Sequence, residues 1–67
     1  MNKQRRKQVK IAIQGIEDIL QNILDDEQES YENMIKEDQK MDSEEAQDNL
    51  EAAIEALEEA ISYLEDI

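Results

Sequence analysis

Two groups of side chains in this sequence carry chemistry. Arg5, Arg6 and Lys10, with Lys3 and Lys7, put five cations and no anion into the first ten residues. Arginine presents a planar fork of donors that matches a phosphate, and such charge-assisted contacts are roughly twice as strong as neutral ones. Tyr31 from a neighbouring chain would add a ring on which a base can stack. Arg5, Arg6, Lys10 and Tyr31 are therefore a candidate anion-binding set. The second group is Asp48, Glu51, Glu55 and Glu58. It belongs to a body of 57 residues that holds all 19 acids and only two bases, Lys36 and Lys40, a local charge of −17 against a net charge of −12. Acids at that density can imitate a run of phosphates, which makes these four a candidate surface for a partner with a basic groove.

Each group also has a plainer reading. Acids on a helix are most often a solvated face that keeps a small bundle soluble. The cations oppose the dipole of any helix that starts there. They would find partners in Glu65, Asp66 or a neighbouring chain. Residue types alone leave both choices open. Long nucleic acid is disfavoured as a ligand, because the acidic body repels it.

Other chemistry is poorly supplied. The chain has no Cys and no His, so the common nucleophile–base pairs cannot be built. The lack of Cys also excludes disulfides and suits a reducing compartment. Paired carboxylates such as Glu58 with Glu59, or Asp25 with Asp26, need a dry cleft that separates their pKa values, and a solvated helix offers none. Asp25 to Lys36 has the length of a calcium loop, yet lacks the Gly at its turn and ends in Lys instead of a bidentate Glu. No catalytic residue, metal site or cofactor is expected, and the chain reads as a non-enzyme.

The elements that position these groups follow from apolar spacing. Val9, Ile13, Ile16, Leu20 and Ile23 step by four, three, four and three, and Ala12, Ile19 and Leu24 widen the stripe. That is an amphipathic helix with a broad apolar face. Gly15 interrupts it at a cost of ~1 kcal/mol relative to Ala, unless it serves close helix approach. A second set, Ala46, Leu50, Ala53, Ile54, Leu57, Ala60, Ile61 and Leu64, repeats every seven residues as in a helix bundle. Leu57 is its centre, and Asp42 or Ser43 would cap its start, with Glu45 completing a capping box. Tyr31, Met34 and Met41 continue the first stripe, and Lys36 and Lys40 suit the negative end of a helix.

The spacing thus predicts an all-α antiparallel hairpin in one domain over 1–67. Helix one runs over about 3–36, a loop over about 37–42, and helix two over about 43–66. Helix one would be clearly the longer, so its basic turns would project beyond helix two. Tyr63 lies off the second stripe. One hairpin leaves half of each stripe uncovered, which predicts a homodimer or higher oligomer in a helix bundle. The 39% apolar content and −12 charge would suit a disordered chain, but ordered periodicity argues otherwise. No apolar run is long enough to span a bilayer. Glu17 and Asp18 break any signal-peptide core, so no membrane association is expected.

The stretch Asp25-Asp-Glu-Gln-Glu-Ser-Tyr31-Glu-Asn-Met34, followed by the Glu/Ala/Ile/Leu repeat from Ala46 to Ile67, resembles a group of small acidic helical proteins of bacteriophages and prophages. They share a basic start, an acidic-Gln-Glu-x-aromatic-x-Asn-apolar segment and a tail of Leu-Glu-Glu-Ala-Ile units. Relatives often carry Pro after the Asn-apolar pair, where this chain has Ile35, and their first helix would stop near Met34. The resemblance supplies no catalytic residues. It implies the cytoplasm of an infected bacterial host as location, and action by binding host proteins or host signals. The leading expectation is an inhibitor whose acidic surface engages a host nucleic-acid-handling or defence protein. The alternatives are an oligomeric sponge that sequesters a cyclic nucleotide or similar anionic signal through Arg5, Arg6 and Tyr31, and a structural role in virion assembly.

Overall fold

The computed structural model describes residues 2–65, and of Glu65 only its backbone. It is an all-α hairpin. Helix α1 spans Lys3–Glu32 and helix α2 spans Glu37–Glu65, packed against each other along their length. The molecule measures 52 × 15 × 9 Å, a rod two helices wide and one thick.

Local hydrogen bonds set the ends of α1. At its start the Asn2 side-chain oxygen accepts from the Arg5 N–H at 2.8 Å, which satisfies one of the free donors of the first turn. No acid lies in that turn. At its end Asn33 takes over. Its backbone N–H donates to the Ser30 carbonyl and the next one, of Met34, to the Tyr31 carbonyl, each at 3.1 Å, and the Asn33 side-chain Nδ2 donates to the Glu29 carbonyl at 3.3 Å. No described residue has positive φ, so the chain reverses without Gly. The Lys40 N–H donates to the Lys36 carbonyl at 3.1 Å, and Glu37 and Asp38 in the first turn of α2 complement its positive end.

This corrects the expected boundaries. Helix one stops at Glu32 instead of Lys36, the connection is 33–36 instead of 37–42, and helix two starts at Glu37 instead of 43. An asparagine side chain, not Gly or Pro, makes the stop. Asp42 and Ser43 therefore do not cap α2 but lie inside it. Lys36 and Lys40 stand at its start, where they oppose the dipole, and not at the end of α1. The helices have 30 and 29 residues, or about 45 and 44 Å at 1.5 Å per residue. Equal lengths leave no basic overhang: Lys3, Arg6, Lys7 and Lys10 flank Ile61 and Leu64.

Few residues reach the interior. Leu24, 4% exposed, is the core apolar residue among the described ones, and Ser43, 3% exposed, is its polar counterpart. Ser43 is small enough to sit between the helices near the turn, and its hydroxyl accepts from Gln47 Nε2 at 3.3 Å. Val9, Ile13, Leu20, Leu50, Ile54, Leu57, Ile61 and Leu64 are half-buried. The first stripe divides. Val9, Ile13, Leu20 and Leu24 turn toward α2, while Ile16 and Ile23, each 48% exposed, and Ile19, 60% exposed, do not. A single partner helix cannot cover so wide a face. Met41 and Tyr63 are also exposed.

The packing ranks the core positions. Leu24→Ala should cost ~2–5 kcal/mol, comparable to the ~3–5 kcal/mol that a core of this size supplies, so melts followed by circular dichroism should show loss of the cooperative transition. Leu57→Ala, at a half-buried site, should cost visibly less, and an equal or larger loss would reverse this assignment. Gly15 has nothing within 4 Å of the position a Cβ would take, so it serves no close approach between α1 and α2. Gly15→Ala should raise stability by ~0.5–1 kcal/mol; destabilisation would mean that the site is crowded.

Candidate functional site

The acidic group lies where its spacing implied. Asp48, Glu51, Glu55 and Glu58 are all exposed on α2. Their steps of three, four and three keep them on one side of the helix, because residues three and four apart are surface neighbours. Glu44, four residues before Asp48 and also exposed, extends the line to about 21 Å at 1.5 Å per residue. Sequence reasoning missed Glu44, having placed it at the helix start, although its spacing from Asp48 was visible.

Glu44 also ties the two helices together. Tyr31, at the end of α1, donates its hydroxyl to Glu44 Oε1 at 2.7 Å, and Lys40 Nζ lies 6.0 Å from the centre of the Tyr31 ring. Hydrogen bonding to Glu44, then the charge of Glu44, partial burial and the charge of Glu37 all push the Tyr31 hydroxyl above its ordinary value of 10.0. Ionised Tyr31 would lose its donor and face two carboxylates.

The basic group is only partly assembled. Lys3, Arg6, Lys7 and Lys10 line an open pocket of ≈ 400 Å³ over Ile61 and Leu64. Arg6 and Lys10 thus lie together, joined by Lys3 and Lys7. Arg5 does not line this pocket. Tyr31 lies 25 residues beyond Arg6 along α1, about 38 Å away, with its hydroxyl committed to Glu44. One chain therefore does not bring Arg5, Arg6, Lys10 and Tyr31 together as a set. The cause is geometric: Arg5 and Arg6 are adjacent, and adjacent residues on a helix point about 100° apart. Pairing of the cations with Asp66 or the Glu65 side chain falls outside the described residues. The pocket chemistry is a cationic rim over an apolar floor, suited to a small anion with a flat or apolar portion.

Among the described residues no group of three or more carboxylates is placed to hold a metal ion. No helix of the described residues is long and apolar enough to cross a membrane. No protein-family model, no curated protein and no solved structure matches the chain.

The Tyr31–Glu44 bond has a pH signature. Because the folded state holds the Tyr31 proton more tightly than the unfolded chain, its contribution to stability is fully present below pH ~10 and is lost as pH rises through the raised value. In a Tyr63→Phe background, the ultraviolet titration of Tyr31 should run above the ordinary tyrosine range, and Glu44→Gln should bring it back toward about 10. An unchanged titration in Glu44→Gln would remove Glu44 as the cause.

Proposed function

We propose that this chain is a non-enzymatic, self-associating binding protein whose acidic face engages a basic groove of a nucleic-acid-handling or defence protein, in keeping with the resemblance to small phage proteins. The observation that carries the reading is the exposed line Glu44, Asp48, Glu51, Glu55 and Glu58 on α2. Rigid display on a helix gives the charges a fixed spacing, as on a nucleic-acid backbone. A body at −17 over 57 residues carries far more charge than a small domain needs for solubility. It also lowers the stability of the compact state through self-repulsion, which is consistent with a functional use for it.

One observation favours a second reading, sequestration of a small anionic nucleotide. The pocket over Ile61 and Leu64 gathers Arg6 and Lys10 with two further lysines. Its cations offer charge-assisted phosphate contacts worth roughly 1.5–3 kcal/mol each. Tyr31 takes no part in it within one chain. A virion-assembly role draws support from no feature beyond the helical hairpin itself.

The readings separate by variant and by salt. The immobilised chain should capture a bacterial protein that duplex DNA displaces, with log affinity falling linearly in log salt. Reversing Glu51, Glu55 and Glu58 to Lys should abolish capture, while Arg6→Ala with Lys10→Ala should leave it intact. Calorimetry against cyclic nucleotides is the counter-test. Heat that disappears with Arg6→Ala and Lys10→Ala, together with capture indifferent to the acidic reversal, would replace the leading reading with the second.

A further inference from the structure

The side of the hairpin away from the acidic line carries an exposed apolar strip, Ile16, Ile19 and Ile23. Residues advance about 100° each around a right-handed helix. On that spacing Ala12, Ile16, Ile19 and Ile23 lie about a quarter turn from the side of α1 that meets α2. The same construction on the antiparallel α2 places the half-buried Ala46, Ala53 and Ala60 on this same side, and the line from Glu44 to Glu58 on the other. Large residues from one helix and small ones from the next thus form one face.

Its area fits a second copy. A compact monomer of 7.8 kDa exposes about 4,400 Å², whereas this chain exposes 5362 Å². The excess of about 1,000 Å² is close to the ~800 Å² that each partner contributes to a standard interface.

The charge distribution chooses the direction. Residues 25–45 around the turn hold ten acids and two bases, a charge of −8. The opposite end, residues 2–10 and 58–65, holds five bases and three acids, a charge of +2. Stacking two hairpins with their turns together would put −8 against −8. Stacking them head to tail puts −8 against +2 at both ends. The apolar groups agree on where the symmetry axis passes. Tyr31 stands level with Glu44, and Lys3 to Lys10 stand level with Ile61 to Leu64. Interpolation between those two points sets Ala53, the middle of the alanine line, level with about Ile19, the middle of the isoleucine strip.

We infer that two copies of this chain pair through the Ile16–Ile19–Ile23 and Ala46–Ala53–Ala60 face as a head-to-tail, two-fold symmetric four-helix bundle, with the axis near Ile19 and Ala53 and both acidic lines left outside. In that arrangement α1 runs antiparallel to the partner's α1, and Ala12 meets the partner's Asp26. The inference deepens the self-association proposed above and stands apart from the reading of the acidic face.

The test uses the absence of cysteine in the chain. The wild type should scatter light as a dimer at micromolar concentration, and Ile19→Glu should shift it to monomer. A monomeric wild type overturns the inference. Single-cysteine variants keep the question open should Ile19→Glu unfold. Ile19→Cys and Ala53→Cys should form covalent dimers with a short bis-maleimide at least about tenfold faster than Glu55→Cys, because an interface raises the local thiol concentration. Ala12→Cys should not link to itself, since the two copies would stand about 21 Å apart, but should link to Asp26→Cys when the two are mixed. Self-linking of Ala12→Cys would mean a parallel pairing, and linking at Glu55→Cys as fast as at Ile19→Cys would place the interface on the acidic face. Either result overturns the inference. Reversing Glu51, Glu55 and Glu58 to Lys should leave linking at Ile19→Cys in place while removing host-protein capture, which keeps the two proposals distinguishable.

Discussion

The hydrogen bond from the Asn33 side chain to the Glu29 carbonyl sets the register of the whole hairpin. At this residue the backbone N–H bonds the Ser30 carbonyl in place of the Glu29 carbonyl, and the side chain supplies the donor that Glu29 loses as α1 ends at Glu32. After a connection of four residues, 33–36, α2 begins, and the two helices come out almost equal in length. Equal length brings the basic start of the chain beside the last turns of α2. It also puts Tyr31 beside Glu44 and Ser43 into the tight contact near the turn. A stop four residues later would have unpaired all three.

The second constraint is thickness. Two helices side by side have only one mutual contact line, and here Leu24 is the one apolar residue it buries among the described residues. Charged residues occupy part of that line as well: Arg6, Lys10, Glu17 and Glu27 are all half-buried. Their stems cover apolar surface, and Arg6 Nε and Glu17 Oε1 are themselves shielded from solvent. The isoleucines a quarter turn away are left about half exposed or more. Their exposure is the physical reason that the hairpin calls for a second layer.

The rod segregates its surfaces. Acids line one side of α2, isoleucines and alanines line the other side of the hairpin, and cations gather at one end. A second copy docked on the apolar side would double the acidic surface without covering it. The proposed self-association and the proposed partner binding would therefore use different residues. The two candidate ligand surfaces, the acidic line and the basic pocket, also lie at different levels along the rod, which is why single substitutions can tell them apart.

Periodicity alone determined the fold class. Two apolar stripes with steps of four and three allow no strand, and their separation demands a reversal between them. The acidic line was equally legible, since Asp48, Glu51, Glu55 and Glu58 share a side on any helix. The turn was not. No Gly or Pro marks it, and Asn33 acts through a side-chain bond to its own helix that no residue pattern singles out. Ser43 has the residue type of a cap and became a buried packing residue, because the earlier start of α2 moved it inward. Arg5 and Arg6 are neighbours in sequence but about 100° apart on a helix, so the predicted anion set divided, and Tyr31 was drawn to Glu44 instead. Local spacing states which residues share a side of one helix. Where two helices stand level with each other, and so which charges meet, is decided only once the turn is made and the chain folds back.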